Sequence, residues 1–262
     1  ERLPLVRDLS RSYVGTDPVT DLVPVRPVVH YMMGGIHTDI AAATTIGGLF
    51  SAGECACVSI NGANRLGSNS LGELLVFGAI AGRNAVEHIR SFKPASDSLI
   101  EKQGADAESR IKGLFKGKGT ERVADLRNKL TQSMEDGCGI YRSEDLIKST
   151  CDVVSEVRDR FKNIALEDKS AVFNTDLTQV LELGAMIEVS QTVAVSAIER
   201  KESRGAHQRL DYETRDDEKY LKHSMAYYNH NGDPRIDYLD VVITKSQPAA
   251  RVYGAAAGGQ KI

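Results

Sequence analysis

The chain has 262 residues, of which 41% are hydrophobic and 26% charged, and its formal net charge is −3. This length and composition are typical of one or two globular domains with a substantial core. The weak negative charge argues against a general nucleic-acid-binding protein, which would concentrate basic residues on one face. Four cysteines are too few for a disulfide-stabilised scaffold of this length. No run of 18 apolar residues occurs, so we expect no membrane-spanning segment.

The first part of the chain predicts one helix and two short strands. Residues 3–14 place apolar and charged side chains at helical spacing, and Gly15 predicts the end of that helix. Residues 24–31 are rich in β-forming side chains, although their two prolines favour an edge or irregular strand. A second strand candidate covers residues 48–54.

The rest of the chain is predicted to be mostly helical. From Ser70 to about Phe92 apolar residues continue for six turns, and the first half is apolar nearly all round, which predicts a buried helix. Amphipathic segments then predict a small helical bundle, at about 97–115, 120–135, 143–166 and 174–201. Ser143 and Asn174 are the expected N-caps of the last two. Residues 236–244 alternate as a strand does, and the tail 255–260 is expected to fray.

One candidate ligand contact is Glu54. An apolar strand that ends in Gly53-Glu54 would place a carboxylate at the carboxyl end of a sheet, where open α/β sheets bind ligands. That carboxylate would accept a hydrogen bond from a ribose or ribityl hydroxyl. An ordinary buried strand is an equally good interpretation.

The glycine-rich segment 61–71 is the sharper signal, because it leads directly into the predicted helix. Near Ser70 and Leu71 the helix start presents unpaired N–H groups and a partial positive charge. This terminus would stabilise the negative charge on the N1–C2=O edge of a reduced flavin. The planar guanidinium of Arg65 suits a carboxylate partner. The alternative is a capped core helix with a surface arginine.

His30 is a third candidate, because Gly34 and Gly35 follow it closely and would let a ligand approach the backbone. Its imidazole would then donate a hydrogen bond to an anion. A structural histidine is the alternative interpretation. Four other histidines have no ligand partner at i+4, and Cys55 and Cys57 are expected to be an unligated pair, so no metal site is predicted; the histidines are His37, His88, His223 and His230.

Several segments together resemble the flavoprotein subunits of fumarate reductases and succinate dehydrogenases. The resemblance covers nearly the whole chain in the order of the family, and its segments are 23–36, 53–55, 62–71, 135–142 and 201–209. It implies that His30 and Arg65 bind the dicarboxylate and that Glu54, Ser70 and Leu71 contact FAD. Hydride would pass between flavin N5 and one carbon of the fumarate–succinate pair, with both carboxylates held in place.

The fold implied by the resemblance is of mixed α+β and α/β character. It consists of the C-terminal part of an FAD-binding domain of the two-dinucleotide type, a helical bundle and a small C-terminal α+β tail. The expected boundaries are 1–25 for the end of a capping domain, 26–93 for the FAD-binding part, 94–201 for the bundle and 202–262 for the C-terminal domain.

The resemblance also implies partners. They are an N-terminal half of the flavoprotein, an iron–sulfur subunit and, through it, membrane anchor subunits at the cytoplasmic face of the inner membrane. The Gly-x-Gly-x-x-Gly turn, the flavin-linking histidine and the proton-delivering arginine of the family have no counterpart in this sequence. We therefore expect the chain to work as an enzyme only beside a segment that supplies them.

Alternatives remain within and outside the family. The segments 208–210 and 221–223 favour the fumarate reductase branch mildly over succinate dehydrogenase, and L-aspartate oxidase shares some of the motifs. A non-catalytic module that docks an iron–sulfur subunit is the alternative from another class. Arg204, His207 and Arg209 are predicted to form a charged structural network rather than an anion site.

Overall fold

The computed structural model of the chain describes residues 3–230 and 232–249, and the chain divides into two compact units, Glu1–Met32 and Met33–Ile262. In the first unit, α1 (Pro4–Val14) ends at Gly15, whose φ of +73° is the left-handed conformation that glycine adopts without strain. This confirms the first predicted helix. The side chains of Arg7 and Arg11 both bind the carboxylate of Asp17 and so fasten the following turn to the helix.

The strand predicted at 24–31 is wrong, because these residues form neither a strand nor a helix. Pro24 and Pro27 have no backbone N–H to donate to a neighbouring strand, so the segment lacks two of the hydrogen-bond donors that strand pairing requires. Its β-forming side chains instead belong to an irregular segment.

The second unit combines long helices with short strands, which gives the chain a mixed α+β character. Its elements in chain order are β1 (Ile36–His37), β2 (Ala56–Cys57), α2 (Asn69–Ser91), α3 (Asp97–Lys116), α4 (Val123–Cys138), β3 (Tyr141–Arg142), α5 (Glu144–Phe161), α6 (Thr175–Glu199), β4 (Gln208–Arg209), α7 (Asp217–Tyr220), β5 (Lys222–Tyr227) and β6 (Arg235–Asp240).

The strands pair as three separate two-stranded sheets within the described residues. The strands β1 and β2 are parallel, as are β3 and β4, whereas β5 and β6 form an antiparallel pair in which Lys222 lies opposite Asp240. The strand predicted at 236–244 is confirmed as β6, but it ends at Asp240. The predicted fraying of the tail 255–260 falls outside the described residues.

The strand predicted at 48–54 is also wrong. Phe50 forms an isolated antiparallel bridge with Ala43, and the chain bends on either side of it. Gly48 and Gly53 have φ values of +83° and +87°, which are incompatible with an extended strand. Glu54 therefore lies in a turn that precedes β2 and not at the carboxyl end of a strand.

The main core lies between α4, α5 and α6. Ser143 and Asn174 cap α5 and α6 as predicted, with the Asn174 side chain accepting from the N–H of Leu177 at 2.8 Å. The buried side chains recur every three or four residues, as on one face of a helix, and they meet between the three helices. They include Leu126, Leu130, Val154, Val157, Val180, Leu183 and Ile187. Helix α3 adds only Leu114 and Phe115 at its last turn, so the bundle has three helices at its centre instead of the predicted four.

Helix α6 resembles a membrane-spanning segment in length and composition, although the sequence pattern predicts no such segment. By these two criteria alone it is long and apolar enough to cross a membrane. In this fold its buried face, which includes Leu183 and Ala194, packs into the bundle instead. A core helix of a globular protein passes the same length and hydropathy test.

The helix predicted at 70–92 is confirmed as α2, but the prediction that it is buried is wrong for the described chain. Leu71 and Leu75 are 65% and 76% exposed, and the buried residue of α2 is Glu73. The helix contacts the preceding segment along one face only: Asn84 donates to the carbonyl of Ala41, and His88 packs on Phe50. Other apolar side chains of α2, such as Leu75 and Val76, are exposed within the described part of the chain.

Candidate active site

The loop before α2, residues 61–68, carries Arg65 and is called the Arg65 loop below. It is attached to the helix by a hydrogen bond to a buried carboxylate. The Asn61 side-chain amide donates to Glu73 Oε2 at 2.7 Å, and Glu73 is only 4% exposed. A carboxylate that is withdrawn from water and hydrogen-bonded to an amide holds the two segments together strongly, because leaving it unpaired would be costly. The loop that carries Arg65 is thus anchored at its first residue to the second turn of α2.

The turn that carries Glu54 packs against the same part of α2. A Cβ placed on Gly53 would lie 2.6 Å from Leu74 Cδ2, so a larger residue at this position would displace the Leu74 side chain. Glu54 itself is exposed and follows directly after this contact. The structure therefore brings together three of the predicted parts: the Glu54 turn, the Arg65 loop and the start of α2.

The start of α2 is only partly open to a ligand, because the N–H of Asn69 donates to the carbonyl of Leu66 at 3.2 Å and the N–H of Leu71, predicted to be unpaired, donates to the carbonyl of Ser68 at 3.1 Å. The Ser68 side chain, at the N-cap position, makes no hydrogen bond to the helix within the described chain, and Ser68 has a φ of +66°. Ser70 is half-buried in the first turn, and next to it Leu66 and Leu71 are 72% and 65% exposed. The arrangement places an apolar surface beside backbone N–H groups that carry the positive end of the helix dipole.

Arg65 lies in this loop, half-buried, and its Nη1 donates to the carbonyl of Leu66 at 3.1 Å. Two residues earlier, the carbonyl of Ala63 accepts the N–H of Ala206 at 2.9 Å. The loop is therefore fixed on one side by α2 and on the other by a segment about 140 residues further along the chain. A guanidinium on such a loop is held near one position and is suited to bind a carboxylate bidentately.

The predicted charged network after residue 200 is confirmed. Glu202 is fully buried and pairs with Arg200 and Arg204, at 2.5 Å and 2.8 Å. Arg209 is also fully buried; it pairs with Asp211 at 2.7 Å and donates to the carbonyl of Ala197 near the end of α6. These guanidiniums have partners inside the protein, which supports their structural interpretation over an anion site.

His207 is held neutral inside this network. Arg142 donates to its Nδ1 at 3.0 Å, so Nε2 carries the proton and donates to the carbonyl of Arg200, also at 3.0 Å. Burial and, to a lesser extent, the neighbouring arginines lower the pKa of His207 to about 4. Near neutral pH it therefore acts as a fixed hydrogen-bonding bridge and not as a cation.

His30 is exposed and lies in the first unit, whereas Arg65, Glu54, Ser70 and Leu71 lie in the second. The structure thus collects four of the five predicted site residues on one region of the second unit. That His30 and Arg65 converge on one ligand stays a prediction.

Sequence analysis missed two contributors to the site region. The first is the hydrogen bond between Asn61 and Glu73. The sequence signal that could have indicated it is a single acidic residue, Glu73, within an otherwise apolar helical stretch. The second is the contact of Gly205 and Ala206 with Ala63, which no local pattern indicates because the partners are far apart in sequence.

Comparison with known proteins agrees with this architecture. Residues 127–253 match the family described as fumarate reductase flavoprotein C-term, and residues 1–71 match the FAD binding domain family. The chain is 52% identical, over its full length, to a fumarate reductase flavoprotein subunit of a Serratia species. It is 36% identical, over 96% of its length, to a succinate dehydrogenase flavoprotein subunit of Rickettsia bellii.

A solved structure of E. coli quinol fumarate reductase superimposes on 97% of the chain with a TM-score of 0.92 and 49% identity. The chain spans about 44% of the length of that structure's chain and of the curated Serratia relative. Two family matches in order along the chain, high identity and a shared fold lead to one conclusion. This chain belongs to the family of fumarate reductase and succinate dehydrogenase flavoproteins.

Proposed function

We propose that this chain supplies part of the FAD and dicarboxylate site of a fumarate reductase, in which hydride passes from FAD to fumarate. The observation that carries the proposal is the anchoring of the Glu54 turn and the Arg65 loop to the same first turns of α2. Relatives named as fumarate reductase subunits share 48–52% identity with the chain, against 36% for those named as succinate dehydrogenase subunits. This difference favours the fumarate reductase branch.

The residues present fit FAD. The isoalloxazine ring needs an apolar surface and, at its N1–C2=O edge, hydrogen-bond donors. The exposed Leu66 and Leu71 would supply the surface. The N–H of Leu71 already donates to the carbonyl of Ser68, so the start of α2 would contribute mainly the positive end of its dipole at that edge. Glu54, exposed beside α2, would accept a hydrogen bond from a hydroxyl of the cofactor.

In the proposed mechanism the chain binds and orients the substrate. The Arg65 guanidinium would hold one carboxylate of fumarate, and His30 the other. Fixing both ends sets the position of the double bond, which replaces a random encounter by a single productive orientation. When bound, FAD supplies the hydride chemistry.

The exposed apolar faces of α2 support the need for further protein around this site. In the proposed arrangement a segment that completes the FAD-binding domain covers them, and an iron–sulfur subunit delivers electrons. Membrane anchor subunits would place the assembly at the cytoplasmic face of the membrane. The solved relative that resembles this chain is itself described as quinol fumarate reductase.

The test is substitution of Arg65 in the assembled flavoprotein complex. A charge-assisted hydrogen bond contributes about 1.5–3 kcal/mol, so Arg65→Ala should lower kcat/KM for fumarate by about 10- to 150-fold while bound FAD is retained. The control is Arg90→Ala, because Arg90 lies on the last turn of α2 and pairs with Glu87 in solvent. If Arg65→Ala and Arg90→Ala have equal activity, the chain is a scaffold and the proposal is wrong.

A further inference from the structure

We infer that the turn Arg204–His207 is a positioning element that holds the Arg65 loop in its substrate-binding conformation. This inference rests on the proposed function of Arg65. It assigns a catalytic consequence to Gly205, Ala206 and His207, none of which lies in the Arg65 loop.

The contact between the turn and the loop is close and specific. Ala206 N–H donates to the carbonyl of Ala63 at 2.9 Å. A Cβ added to Gly205 would lie 2.5 Å from the Ala63 oxygen and 2.8 Å from Ala63 Cβ, closer than atoms tolerate. Since Ala63 is only two residues before Arg65, any shift that relieves this contact moves the backbone that carries the guanidinium.

The turn itself is rigid. Arg204 and His207 exchange two backbone hydrogen bonds, of 2.8 Å and 3.0 Å, which close a two-residue hairpin. Gly205 has a φ of +58°, the left-handed conformation that such a turn requires and that glycine adopts without strain. Gln208 reinforces it by donating from its side chain to the carbonyl of Gly205 at 3.0 Å.

The turn is also fixed to the helical bundle. The imidazole of His207 joins Arg142, just before α5, to the backbone of Arg200, just after α6. The strands β3 and β4 then pair directly beside it, with Arg142 opposite Arg209. The buried hydrophobic clusters of the described residues lie in the bundle, so it provides a stable reference for the position of the turn.

The Arg65 loop is therefore held between two supports. Asn61 binds Glu73 on α2, and Ala63 binds the Arg204–His207 turn on the bundle. A displacement of about 1 Å in a substrate-binding group can lower catalytic rates by as much as about 100-fold. A turn that sets this position influences substrate binding without touching the substrate.

The experiment measures KM for fumarate, and kcat per bound FAD, in the assembled complex. Gly205→Ala adds both left-handed strain and the contact with Ala63, whereas Gly205→Asn adds the contact with less strain, because asparagine tolerates positive φ. Gly15→Ala is the control for strain alone, since Gly15 has a φ of +73° and open space around it.

We expect both Gly205 variants to raise KM for fumarate by about 10- to 100-fold, and Gly15→Ala to leave KM within twofold. The dissociation constant of malonate, a dicarboxylate without a double bond to reduce, should rise in parallel when it is followed through the flavin absorbance. A purely structural role would lower the thermal midpoint or the FAD content and leave KM for fumarate unchanged.

His207→Asn is a milder variant in case the Gly205 variants do not fold. It keeps an acceptor for Arg142 and loses the bond to Arg200, so KM should rise by at least about threefold. KM within twofold of the parent in every folded variant overturns the inference, provided that Arg65→Ala is impaired in the same assay. If Arg65→Ala is itself unimpaired, the proposed function fails instead.

Discussion

Arg142 donates from its Nη1 to Nδ1 of His207 at 3.0 Å, and this bond requires the imidazole to be neutral. Protonation would give Nδ1 a hydrogen that points at a guanidinium, and both groups are largely withdrawn from water. The pair therefore links the protonation of the half-buried His207 to the structure of the turn that contacts the Arg65 loop.

This linkage predicts that the free energy of unfolding depends on pH. In the unfolded chain histidine takes up a proton near pH 6.5, whereas in the folded protein the pKa of His207 is lowered to about 4. The unfolded state thus binds more protons between these values, so the stabilising contribution is complete above pH 6.5 and is lost as the pH falls towards 4. Urea unfolding from pH 4 to 7.5 measures it.

The variant His207→Asn should flatten this pH dependence, because asparagine does not titrate in this range. His230→Asn is the matched control, since His230 is exposed, and it should retain the slope of the parent. An unchanged slope in His207→Asn would show that other groups cause the acid destabilisation.

Removal of the buried carboxylate of Glu202 should be strongly destabilising. Glu202→Ala would leave Arg200 and Arg204 without their shared anion and the N–H of Asp216 without its acceptor. Breaking a buried ion pair from one side costs about 3–5 kcal/mol. Chemical denaturation measures this loss.

The control for Glu202 is Glu167→Ala, which removes an exposed ion pair with Arg122. It should change stability much less, because solvent screens that pair. Equal effects of the two substitutions would contradict the assignment of Glu202 as a buried anchor.

The packing of the bundle predicts a large effect for Leu183→Ala. Leu183 is fully buried on α6 between α4 and α5, and truncation of such a leucine to alanine costs about 2–5 kcal/mol. Val172→Ala, at a site that is 70% exposed just before α6, should be nearly neutral. Thermal and urea unfolding distinguish the two, and equal losses would argue against a bundle core at Leu183.

The N-cap of α6 predicts a smaller, local effect. Asn174→Ala removes the acceptor for the N–H of Leu177, and loss of such a cap costs about 1 kcal/mol. Asn174→Ser should recover the part of this stability that belongs to the cap, since serine also accepts that bond, but not the two bonds that Asn174 Nδ2 donates to the carbonyls of Asp168 and Ser170. Ser96→Ala provides the control, because the Ser96 side chain does not cap α3 in the described structure. If Asn174→Ala and Ser96→Ala lower the free energy of unfolding equally, Asn174 does not act as an N-cap of α6.

The sequence alone determined the existence of the long helices and two of their caps, and it indicated the family, whereas the prediction for α5 extends to 166 and the helix ends at Phe161. These features depend on neighbours within about four residues or on motifs that are continuous in the chain. Ser143 and Asn174 were recognisable because a cap and its N–H partner lie three residues apart. For the same reason the motifs that carry Glu54, Arg65, Ser70 and Leu71 can be recognised in the sequence, and their role in the site stays a prediction.

Tertiary structure alone decided which surfaces meet. The predicted strands at 24–31 and 48–54 did not form, because proline and left-handed glycines prevented pairing that the side-chain pattern favoured. Helix α2 contacts the described chain along one face, although its composition predicted burial all round. The support of the Arg65 loop joins Ala63 to Ala206, and such a contact depends on the packing of two distant segments, which local preferences do not encode.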